Sequence, residues 1–161
     1  MIFDVSELKE IRPIAANIQQ NRIAPYNEEV EHVLVIDALG AELYEKIEKD
    51  KDSFSMLIDG GFYDGLDGRE WFAGLRQAVS YLVYARVIRN NDMNVTAFGA
   101  VVKNGKLSEQ ADGELVARMS NEALSFGEKH LNDVVKYCSA VGLIKDCSKM
   151  KFYHKIKIIG E

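Results

Sequence analysis

Arg69-Glu-Trp-Phe-Ala-Gly-Leu-Arg-Gln-Ala-Val-Ser-Tyr-Leu-Val-Tyr-Ala-Arg-Val-Ile-Arg-Asn90 is the stretch that decides the fold. Trp71, Phe72, Leu75, Ala78, Val79, Leu82, Val83, Ala85 and Ile88 recur at helical spacing and cover more than half of the circumference. An apolar stripe that wide predicts a central helix, packed by neighbours on several sides, with Leu75 and Leu82 deep in the core. Arg76, Ser80, Arg86 and Arg89 form its polar remainder.

Upstream, Gly60-Gly-Phe-Tyr-Asp-Gly-Leu-Asp-Gly68 reads as a turn-rich loop. Ser53 to Asp59 reads as a short helix closed by Gly60-Gly61. Ala41 to Lys49 is a helix with Leu43, Tyr44 and Ile47 on one side, separated by Gly40 from an earlier run. That run starts near Pro25, which suits a helix start because its missing N–H is not needed there. Val30, Val33, Leu34 and Asp37 fall on its helical spacing, and Glu28, Glu29 and Glu31 occupy its first turns. In the opening segment, Ser6 is placed to cap a turn through Ile11 that Pro13 interrupts.

Downstream, residues 93–107 lose helical periodicity. Val95-Thr96 and Ala100-Val101-Val102 are β-like, and Asn104-Gly105 is a hairpin-turn dipeptide, so an extended arm or hairpin is expected over about 93–110. Asp112 is placed to cap a second long helix reaching about Ile144. Val116, Met119, Ala123, Phe126, His130, Val134, Tyr137 and Val141 form its stripe, and Leu131, Val135 and Cys138 form a second row. About 33 residues at 1.5 Å each give roughly 50 Å, against a diameter near roughly 40 Å for a compact chain of this length. The helix is therefore expected to outrun the globule, leaving Leu115, Val116 and Met119 without a local partner, or to bend at Gly127 or Gly142. From Lys149 the tail alternates strictly: Met150, Phe152, His154, Ile156 and Ile158 on one face, Lys149, Lys151, Tyr153, Lys155 and Lys157 on the other. This is the period of a strand over about 149–159.

The whole is expected to be one mainly α domain over 1–161: a multi-helix fold with two long helices and a small β-hairpin or extended arm. With 161 residues, 47% hydrophobic and 28% charged, the composition is that of an ordinary globular chain. No apolar run is long enough to span a membrane, and the start lacks the basic and apolar regions of a signal peptide. Residues 1–66 hold 14 acids and 6 bases, whereas 145–161 hold 2 acids and 5 lysines. An acidic front half argues against general nucleic-acid binding. A basic tail on an acidic body permits head-to-tail association between copies, although a solvated tail explains the same lysines.

Chemistry-bearing patterns are sparse. Cys138 and Cys147 form no CxxC, and His32, His130 and His154 are scattered, so no zinc spacing exists. Glu28, Glu29, Glu31, Glu42, Glu45 and Glu48 read as a solvated helix face with i,i+4 pairs to lysine rather than paired catalytic carboxylates. Asp59, Asp64, Asp67 and Glu70 miss the EF-hand spacing. His130 and Asp133 are helix neighbours, but Cys138 lies two turns away, and Cys138 reads as a small buried hydrophobe. No Walker loop, GxGxxG, GxSxG or HExxH occurs. Catalytic residues, cofactor and metal are all expected to be none.

Phe72 to Asn91, followed by Asn94-Val-Thr-Ala-Phe-Gly-Ala-Val-Val-Lys103 and Ser108-Glu-Gln-Ala-Asp112, together with Ile11-Arg-Pro-Ile14 and Ala38-Leu-Gly-Ala-Glu-Leu-Tyr44, resembles small proteins of phage and prophage structural modules in Bacteroides-type bacteria. Their layout is similar to the helical head–tail connector (head-completion) proteins of tailed phages. The resemblance covers roughly 11–144. It implies a virion structural subunit, without enzymatic activity, that self-assembles as a ring at the portal. Its partners would be further copies, the portal and tail-completion proteins, and its place the host cytoplasm and then the virion neck. An extended loop or terminus would reach a neighbour, which nominates the 93–110 arm and the 149–159 tail. The expected oligomer interface is Phe98, Val101, Val102, Leu115, Val116, Met119, Phe152, Ile156 and Ile158. The alternative is a non-viral helical protein-interaction module.

Overall fold

The computed structural model describes residues 1–11, 20–65, 68–90, 93–96, 99–102 and 113–144. The described chain is mainly helical, with two small antiparallel hairpins. Helix α1 (Val5–Ile11) is followed by α2 (Gln20–Glu29), which continues through a π-helical stretch, Val30–Val35, into α3 (Ile36–Leu39). After Gly40 come α4 (Ala41–Lys49), a 3₁₀ turn at Asp52–Phe54 and α5 (Ser55–Asp59). Strands β1 (Gly61–Gly65) and β2 (Gly68–Phe72) lead into α6 (Leu75–Asn90), and β3 (Met93–Thr96) and β4 (Gly99–Val102) precede α7 (Gly113–Ala140).

The central element is α6, as its apolar width demands. Leu75, Ala78, Val79, Leu82 and Val83 are buried, and α7, α2, α1 and α5 all pack on it. Complete burial of each such leucine is worth about 1.5–3 kcal/mol. Hydrogen bonds fix the neighbours on its polar gaps. Ser80 Oγ donates to the Leu8 carbonyl at 3.4 Å, and Ser120 Oγ of α7 donates to the Ala85 carbonyl at 3.0 Å.

Its start differs from expectation. The helix begins at Leu75, not Arg69, and Gly61–Gly65 of the expected loop is a strand paired with Gly68–Phe72. Gly61 pairs with Phe72, Phe62 with Trp71 and Tyr63 with Glu70. Trp71 and Phe72 fit a helical stripe, but they sit on a strand and point to opposite sides. The glycines at the hairpin base explain why. Gly60 and Gly74 both have positive φ, 84° or slightly less, and a Cβ on either would lie 2.4 Å from backbone of the opposing segment. Only glycines allow α5 and α6 to start and finish against one hairpin base this closely.

Three further expectations are corrected. Pro25 lies inside α2 rather than at its start, so Asn21 lacks the amide donor it would otherwise bond. The cap of α1 is Asp4, not Ser6: Asp4 Oδ1 accepts from Ser6 N at 3.1 Å, and Glu7 reaches back to Asp4 N at 3.2 Å, a capping box. The buried face of α7 is also rotated. Ser120, Ala123, Leu131, Val134, Val135 and Cys138 face the core, whereas Met119 and Phe126 of the expected stripe are exposed. Gly127 marks closest approach to α6. It lies within the unbroken helix, and a Cβ there would be 2.7 Å from Leu82 Cγ.

Helix α7 has 28 residues, about 42 Å, and ends earlier than expected. Gly142 N–H bonds the Ser139 carbonyl at 3.1 Å and Leu143 N–H bonds the Cys138 carbonyl at 2.8 Å, the paired bonds of a Schellman stop. Strand β3 pairs with β4 from Met93 opposite Val102 to Thr96 opposite Gly99, so the strands do not meet across Asn104-Gly105. That dipeptide, Phe98 and the 149–159 tail lie outside the described residues.

Candidate interaction surface

Two groups of apolar side chains face outward. The first is on α7. Leu115, Met119 and Phe126 are 39%, 41% and 42% exposed, and their spacing of four and seven residues puts them on one helix face. Val116 beside them is half-buried. Across from this face, Tyr81 of α6 meets the Phe126 ring at 5.7 Å and the His130 ring at 5.4 Å. Tyr81, Tyr84, Met119, Ala123 and Phe126 line a shallow cleft between the two helices. Of the interface residues expected from sequence, Leu115, Val116 and Met119 therefore come together here. Val101 and Val102 lie on β4, while Phe98, Phe152, Ile156 and Ile158 lie outside the described residues.

The second group was missed by sequence reasoning. Phe62 and Trp71, cross-strand partners in the β1–β2 hairpin, are 60% and 59% exposed on its outer face. The Arg69 guanidinium lies 5.1 Å from the Phe62 ring centroid, a cation–π contact. The signal was present as alternation: Phe62 and Asp64 outward with Tyr63 inward, and Trp71 outward with Phe72 inward. The inner side is an aromatic cluster. Phe72 stacks on Tyr137 at 4.4 Å, and Tyr63 meets Phe72 edge-on at 5.5 Å and Tyr137 at 5.3 Å. Tyr63 Oη donates to Glu70 at 2.7 Å. Burial first, then this carboxylate, pushes the Tyr63 phenol up to about 12.

A third feature contradicts the reading of the glutamates as one solvated face. Glu31 is completely buried in the π-helical stretch. Its carboxylate accepts from Ile2 N at 2.6 Å, Phe3 N at 3.0 Å and Tyr44 Oη at 2.8 Å. Asn27, also buried, donates to the Phe3 carbonyl at 2.9 Å. Burial, then the Glu31 hydrogen bond, holds the Tyr44 phenol above its ordinary range. This is an anchor for residues 1–3. A π turn at a functional site is common, but here each carboxylate oxygen is committed to holding the chain. Glu42 and Glu45 pair with Lys46 and Lys49 at 2.7 and 3.5 Å, and Glu48 pairs with the Met1 amino group, as surface carboxylates should.

Among the described residues, no group of three or more His, Cys, Asp or Glu is placed to hold a metal ion. Asp59 is bound to Arg76 at 2.9 Å and Glu70 to Tyr63, so two of the acids from the turn-rich stretch serve packing. Cys138 is buried on α7 against the core.

Residues 35–150, more than two thirds of the chain, match a family model described as "Family of unknown function (DUF6712)". The chain belongs to this family. No curated protein and no solved structure matches it. The DUF6712 segment takes in both exposed apolar groups, α6 and α7. It leaves out Ile2, Phe3 and Glu31 while including their partner Tyr44. No described helix is long and apolar enough to cross a membrane.

Proposed function

We propose that this chain is a non-catalytic structural subunit that works by self-assembly: a head–tail connector subunit of a tailed phage, forming a ring at the portal. Copies of itself, the portal and tail-completion proteins are its partners, and the subunit passes from the host cytoplasm to the virion neck. The observation that carries the reading is the row Leu115, Met119 and Phe126, exposed on one face of a helix whose other face is buried in the core. Exposed apolar groups on this scale are costly to leave in water and mark contact surfaces. The Phe62–Trp71 pair gives a second, separate contact face, and two different faces are what a heterologous contact needs to close into a ring. The resemblance to connector subunits supplies the assembly itself.

The mass of the full chain in solution, measured at rising concentration, tests this. Larger species should accumulate, and Leu115→Ser/Met119→Ser/Phe126→Ser should stay at monomer mass while keeping its helical circular dichroism. A full chain that stays monomeric throughout, or a triple variant that assembles like the parent, sinks the reading.

A further inference from the structure

The corner at Gly40, where α3 turns into α4, meets the C-terminal end of α7 in a groove of about 690 Å³. Its floor is apolar and buried: Leu39, Leu43 and Val135. Phe54, Leu143 and Ile144 form its walls, Ala38 lies half-buried beside them, and Ala41 lies exposed at its mouth. The acids on its rim are Asp37 and Glu42; Glu42 is engaged by Lys46, and Asp37 makes no ion pair among the described residues. No buried polar side chain converges on the groove to orient a small polar ligand. It fits an extended apolar segment better than a metabolite.

We propose that this groove receives residues 149–159 of a neighbouring copy of the chain, an inference that rests on the self-assembly reading. Two observations select that occupant. The segment alternates Met150, Phe152, His154, Ile156 and Ile158 on one face, and such a face must be covered. Residues 145–161 carry five lysines against two acids, whereas residues 1–66, which supply most of the groove, carry 14 acids against six bases. Opposite charge steers the two together. The neighbouring copy, rather than the tail's own subunit, follows from the self-assembly reading. Tail-into-groove is a heterologous contact, and repeating it generates a ring or a filament.

Complementation between two full-length variants tests this. Ala41→Asp/Leu143→Asp spoils the groove at exposed positions, and Phe152→Asp/Ile156→Asp spoils the tail. Each alone should remain at monomer mass at concentrations where the parent associates. Mixed in equal amounts they should form a pair and grow no further, since one intact tail meets one intact groove. Ala41→Trp, which fills the groove from its exposed mouth, should block association in the same way as the double groove variant. If the parent associates and both groove variants associate equally well, the groove is not the receiver, and the self-assembly reading survives. If the single variants are monomeric but the mixture forms no pair, the tail lies in its own groove and the proposal is wrong. A parent chain that never associates removes the self-assembly reading itself, and this inference with it.

Discussion

Gly127 of α7 lies directly over Leu82 of α6, so close that a Cβ would come within 2.7 Å of the leucine Cγ and 3.1 Å of its backbone nitrogen. The two long helices are the frame of the molecule, and this contact sets their separation. Leu82 is 1% exposed and cannot swing away. Gly127→Ala gains about 1 kcal/mol of helix propensity but overpacks the interface at about 1–3 kcal/mol, so it should destabilise the chain. Leu82→Ala alone should cost about 2–5 kcal/mol. In that background Gly127→Ala should no longer cost stability, because the space is free. Reversible urea unfolding of the four chains reads this coupling; strictly additive changes would show that the two side chains do not share the space.

Glu31 should be among the least replaceable surface-looking residues in the sequence. Glu31→Leu leaves the Ile2 and Phe3 amides unpaired in a buried site. Each orphaned donor costs about 1–3 kcal/mol, so the loss should be about 2–6 kcal/mol. Hydrogen exchange of those two amides should accelerate together with it. Glu45→Leu, on an exposed pair, should change stability by less than about 1 kcal/mol. Equal effects for the two substitutions would refute the anchor.

Stability should be insensitive to the tyrosines through neutral pH and fall in alkali. Tyr63 is held at about 12 against an ordinary 10.0, and Tyr44 is raised as well. A raised folded value means that the neutral phenol is favoured by the fold. Their contribution is therefore complete below pH 10 and is lost as pH rises through the interval toward 12 and beyond. Tyr63→Phe should flatten the alkaline part of a pH–stability curve measured by thermal melting. An unchanged slope would show that Tyr63 ionises freely in the folded chain.

Trp71 is the single tryptophan, and its position on the hairpin's outer face makes it a reporter. The dilute chain should show the long-wavelength emission of a water-exposed indole, readily quenched by acrylamide. On association through the hairpin face the emission should move to shorter wavelength and quenching should weaken. Association without any change in Trp71 emission would remove the Phe62–Trp71 pair from the contact surface.

The central position of residues 75–90, the breaks at Gly40 and Gly60 and the burial of Cys138 were all legible in the linear pattern. Each depends on local periodicity or on backbone constraints a few residues long. Leu115 and Met119 are exposed, but on a helix of about 42 Å rather than the roughly 50 Å the pattern predicts, and Met119 lines a cleft with Tyr81 and Tyr84 instead of lacking a local partner. What the pattern could not show was which partner each side chain would meet. Glu31 reads like its neighbours Glu28 and Glu29, and only the approach of residues 2 and 3 from far along the chain, with Tyr44 opposite, makes its burial favourable. Trp71-Phe72 satisfies a helical stripe and a strand equally well. The choice fell to the strand because Gly60 and Gly74 bring two distant backbones into contact that no Cβ would permit. The phase of α7 was decided the same way: Ser120 and Gly127 look like gaps in a stripe, yet small residues are what a neighbouring helix needs for close approach. The sequence alone determined that the chain is mainly helical and which helix is central. Long-range packing decided which faces are buried, because a side chain's cost in water is local but its compensation comes from residues the chain order does not reveal.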